Sequence, residues 1–139
     1  MYMRYENERD ILDLVENFEN GTIPRGEWDH AGHLTAGLYY VATNGLDGGI
    51  ERMRGSLLNH LKAIGVDFTV EMPYHETLTV FWMRTINDFF HSKNAYSIVD
   101  IRNELVEAFD KDFPLKFYTR EYLFSDEARR NFVEPDLAG

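Results

Sequence analysis

Apolar residues recur through most of this chain at helical spacing, and that periodicity restricts the fold more than any other feature. Over residues 8–19 the stripe is Ile11, Leu12, Leu14, Val15 and Phe18. Over 49–64 it is Ile50, Met53, Leu57, Leu61 and Ile64. From Glu76 to Phe90 it is Leu78, Trp82, Ile86, Phe89 and Phe90, and from Ser97 to Phe109 it is Ile98, Ile101, Leu105 and Val106. Such i, i+3, i+4, i+7 patterns place one apolar face along a helix. Only Phe68–Glu71 alternates as a strand would, and it is too short to found a sheet.

Punctuation between the stripes agrees with them. Asn20-Gly21, Asn44-Gly45 and Gly65 stand where helices stop, because glycine supplies the left-handed conformation beyond a C-cap. Asp29 is placed to cap a helix running from His30 to about Thr43. Pro114 suits the first turn of a short helix, and Ser125-Asp126-Glu127 opens another near Ala128–Phe132. The tail 133–139 reads as irregular. The expected fold is an all-α, single-domain bundle over residues 1–139, with four to five main helices and short C-terminal helices.

A chain of 139 residues with 44% hydrophobic residues fills a core without covalent staples. It has no cysteine, so disulfides, thiolate metal sites and cysteine nucleophiles are excluded. The formal charge of −10 repels phosphate backbones and anionic lipid, and no basic cluster offsets it. Nucleic acid and membrane are therefore not the expected partners. The polar start MYMRYENERD lacks the apolar region of a signal peptide, which makes the cytoplasm the default location.

The chemically loaded residues are histidines. Residues 27–33 read Glu-Trp-Asp-His-Ala-Gly-His. His30 and His33 share one face of a helical first turn, with Cβ atoms about 5–6 Å apart. Residues 73–77 read Pro-Tyr-His-Glu-Thr and also open a helix. If the two helices are neighbours pointing the same way, His75 meets His30 and His33. Three neutral imidazoles hold a divalent ion such as zinc, nickel or iron and leave one position open, as catalytic sites do. Glu76 is then the candidate catalytic residue, handling the proton, orienting a ligand or ligating directly. Glu27, Trp28, Tyr74, Trp82 and Arg120 are the candidate pocket-lining residues, with Arg120 suited to a carboxylate or phosphate. In the opposing reading, each histidine caps or pads its own helix start and bonds to a neighbouring helix.

Two named metal patterns fail on their partners. A di-iron carboxylate bundle requires a second Glu-x-x-His beside Glu27–His30, but Leu57 and Asp88 precede His60 and His91 at that spacing. His75-Glu76 is not followed by the second histidine of a zincin. His60 and His91 fall late in their helices, where an exposed imidazolium favours the C-terminal dipole. Thr77 and Thr79 have no adjacent base and read as helix-face hydroxyls.

Glu27-Trp28-Asp29-His30 with Gly32-His33-Leu34, then Tyr74-His75-Glu76-Thr77, Ser125–Arg129 and Val133-Glu134-Pro135-Asp136-Leu137 together resemble a group of small uncharacterised bacterial helical proteins. The resemblance spans about residues 15–137. It implies a bacterial source and a shared fold, and it names no reaction.

Three functional classes follow. The first is a metal-site protein or metal-dependent enzyme acting on a small molecule. The second is a metal-free module that binds a small ligand or anion. The third is an acidic protein-interaction domain with structural histidines.

Overall fold

The computed structural model describes residues 3–93 and 96–137, and within them the chain is helical, with no strand. Ala138 and Gly139, the end of the tail expected to be irregular, lie outside the described residues. The helices are α1 (Glu8–Glu19), α2 (His30–Ala63), α3 (Glu76–His91) and α4 (Ile98–Ala108), followed by a 3₁₀ turn at Phe113–Lys116, α5 (Arg120–Leu123) and α6 (Asp126–Arg130). The expected all-α bundle is what the chain forms. Residues 68–70, the hinted strand, form a turn.

Local chemistry sets the helix starts. Asn7 and Asp10 make a reciprocal capping box on α1, and Asp29 accepts from the Gly32 amide on α2. Ser97 and Ser125 cap α4 and α6. Pro114 sits in the first positions of the 3₁₀ turn, where its missing N–H costs nothing.

Helix α2 reverses direction. Gly45 takes φ 76° and ψ −178°, a conformation that side chains other than glycine resist. Beyond it the chain returns along itself. A Cβ on Gly49 would meet the Tyr40 carbonyl at 3.3 Å, one on Gly37 would meet Met53 Cε at 3.5 Å, and Tyr40 Oη lies 2.9 Å from Ser56 Oγ. In a straight helix residues 37 and 53 stand about 24 Å apart, so these contacts require the bend. Glu19 of α1 clasps the pair, accepting from Tyr40 at 2.8 Å and pairing with Arg52.

Helix α3 packs on both arms of α2. Without side chains of their own, Gly37 and Gly49 admit Ile86 and Met83 to within van der Waals distance of the backbone. Ile11, Val15, Phe18, Leu34, Leu38, Met53, Met83, Ile86, Ile101 and Leu105 fill the core between α1, α2, α3 and α4. The tail 131–137 is irregular yet tied down. Thr77 Oγ1 donates to Asn131 O, Tyr118 Oη donates to Val133 O at 2.6 Å, and Asp136 accepts from the Thr119 amide and hydroxyl.

A candidate binding cleft beside Tyr74

His30 and His33 lie together at the start of α2, and His75 stands elsewhere. His30 packs edge-on against Trp82, with centroids 4.9 Å apart, and its Nε2–H donates to Phe109 O at 3.0 Å. The first arm of α2 and α3 do point the same way, since the returning second arm runs against α3, with Gly49 at Met83 and Arg54 at Glu76. They are, however, out of register. Trp82, seven residues beyond His75, occupies the level of His30, an offset of about 10 Å. His75 instead faces the last part of the chain.

His75 is itself the N-cap of α3. Its Nδ1 accepts from the Leu78 amide at 3.2 Å, and its Nε2–H donates to Leu123 O at 2.7 Å. Both ring nitrogens are engaged in one neutral tautomer. Burial holds its pKa below the usual histidine range. Among the described residues, no three histidine, aspartate or glutamate side chains are grouped to hold a metal ion.

Glu76 is held by two donors. Arg54, from the second arm of α2, makes a fork of 2.9 and 2.6 Å to its two oxygens, and Tyr74 Oη donates at 2.6 Å. The Arg54 contact, foremost, keeps the carboxyl below the usual range, with the Tyr74 hydrogen bond adding to it. Glu76, the expected proton-handling group, is thus a fixed anion at neutral pH, and a carboxylate held this low is a weak base.

His33 lies beside Trp28, with centroids 6.3 Å apart. Its Nε2 is buried without a hydrogen-bond partner, and burial lowers its pKa to about 4. His60 corrects the expectation of a surface imidazolium. It is 4% exposed, packs on Trp28 and Phe18, and its Nδ1 also lacks a partner. The reversal at Gly45 brings it inward.

Trp28 is half-buried and stacks on Phe18 at 4.1 Å, and Trp82 is buried. Glu27 and Arg120 are exposed. Thr77 and Thr79 are buried, with their hydroxyls bonded to Asn131 O and His75 O.

Beside Tyr74 the surface opens into a cleft of about 440 Å³, lined by Met72, Tyr74, Asp126, Arg129 and Arg130. Met72 is 52% exposed and offers an apolar wall to the cleft. Arg129 lies over the Phe124 ring at 5.6 Å, and Phe124 in turn stands edge-on to His75. Among the described residues neither Arg129 nor Arg130 pairs with a carboxylate. Sequence reasoning singled out Tyr74 and missed the two arginines. Their signal was a basic pair, Arg129-Arg130, closing a helix that Asp126 and Glu127 open.

Compared with models of known families, with curated proteins and with solved structures, the chain matches none. Among the described residues no helix is long and apolar enough to cross a membrane.

Proposed function

We propose that this protein binds a small anionic molecule, bearing a carboxylate or phosphate on an apolar body, in the cleft between Tyr74 and α6. The observation that carries this reading is the pair of unpaired arginines facing an exposed methionine and a fixed tyrosine. Guanidinium groups recognise such anions by paired hydrogen bonds, and the cleft volume is within the range of small-ligand sites. Asp126 shares the rim, which suits a ligand that also brings a donor. The Arg54–Glu76–Tyr74 network holds the tyrosine ring in place before a ligand arrives, and preorganised groups bind with less ordering cost.

Calorimetric titration with phenyl phosphate and benzoate, in chelator, tests the reading. Binding should weaken at least about tenfold in Arg129→Ala and in Arg130→Ala, the scale of losing one charge-assisted contact. Equal affinity in the wild type and both variants sinks it.

A divalent ion on His30, His33 and His75 is the competing proposal, and the unpartnered His33 Nε2 is its one support. The donors as folded do not fit it, because His30 and His75 would have to release Phe109 O and Leu123 O. Metal analysis of tag-free protein tests it.

A further inference from the structure

On the face formed by α3, the end of α4 and the 3₁₀ turn lies a second opening of about 470 Å³, separate from the arginine cleft. Five phenylalanines line it: Phe81 and Phe89 from α3, and Phe109, Phe113 and Phe117 from the chain beyond α4. The rings interlock at centroid distances from 4.8 Å (Phe109–Phe113) to 5.9 Å (Phe81–Phe113). Asp88, two turns from Phe81 and beside Phe89, brings the carboxylate of this lining. It is exposed, and among the described residues no basic side chain pairs with it.

Aromatic faces carry negative potential and attract cations. Two of these rings already do so, with Lys93 Nζ 5.1 Å from the Phe89 centroid and Lys116 Nζ 5.6 Å from that of Phe113. The −10 charge of the chain adds a long-range field of the same sign. We infer that this groove binds a small organic ammonium ion, its apolar body against the phenylalanines and its charge against Asp88.

Trp82 is a built-in reporter, since its ring lies 6.0 Å from Phe113 and 5.7 Å from Phe81 behind the groove. The test titrates the full chain with 4-phenylbutylammonium and with the neutral 4-phenylbutanol while following the Trp82 indole N–H resonance. The ammonium should bind about fivefold more tightly than the alcohol, the scale of one screened charge pair with a ring contact. Asp88→Asn should cut that preference to about twofold or less, the residue of the ring contact, and leave the alcohol unchanged. Equal affinities for the two probes, a preference undiminished in Asp88→Asn, or saturation without a shift at Trp82 would each overturn the inference. Because the probe is a cation and the readout is Trp82, failure here is independent of the fate of the anion cleft.

Discussion

The segments Trp28–His33 and Tyr74–Thr77 look alike as sequence, each placing an aromatic, an acid and histidine at a helix start, yet they do different physical work. In the first, an aspartate caps the helix, so its histidines are left to pack: His30 reaches Phe109 O, and His33 beside Trp28 keeps a buried nitrogen without a partner. In the second, the histidine is the cap, and both its nitrogens are occupied. Glu76 is tied to Arg54 and Tyr74, with no bond to His75 among its contacts. Similar local patterns thus produce one padding site and one clamp. A ring with both nitrogens bonded should be costly to remove, and a ring with an orphaned nitrogen should not.

The largest effect expected from this contrast is at His75. His75→Ala removes the cap and leaves Leu123 O, on the buried side of α5, without its donor. The loss should be about 2–4 kcal/mol in urea unfolding, summing a cap and an unsatisfied acceptor. His75→Asn, which restores the cap alone, should recover about 1 kcal/mol of it.

Second comes a pH effect at His33. Its folded pKa of about 4 lies below the usual 6.5, so the unfolded chain binds the proton more readily. Its contribution is complete above pH 6.5 and is lost as pH falls toward 4, with stability rising with pH in between. About 2–3 kcal/mol should disappear over that window. In His33→Leu the slope should flatten, and stability at pH 7 should change little, because the substitution also removes a buried unpaired nitrogen. Denaturant midpoints from pH 4 to 7 measure both variants.

The smallest effect is at Glu76. Glu76→Gln breaks the fork with Arg54, a partly exposed group, and should cost about 1 kcal/mol at neutral pH. Because the Glu76 pKa is lowered on folding, that difference from wild type should vanish as pH drops below the ordinary carboxylate value and through the folded one.

Features governed by a few neighbouring residues were legible in the sequence. Asp29, Ser97 and Ser125 cap where their chemistry places them, and α1 ends at Asn20-Gly21. What the sequence could not carry was register between distant elements. The break at Asn44-Gly45 was visible, but not that the two arms of α2 fold against each other, and it is that reversal which buries His60 and brings Arg54 to Glu76, 22 residues away. The parallel direction of α3 and the first arm of α2 was a fair condition to set, yet an offset of two turns is decided by which glycines admit Met83 and Ile86.

The most direct test of the central claim, that the ligand site is the arginine cleft and the histidines serve structure, is a map of amide shifts on titrating phenyl phosphate into ¹⁵N-labelled protein. Saturable shifts should concentrate at Met72, Tyr74 and residues 126–130, with the amides of His30 and His33 unmoved. Saturable shifts centred on His30 and His33, with 126–130 silent, would contradict it.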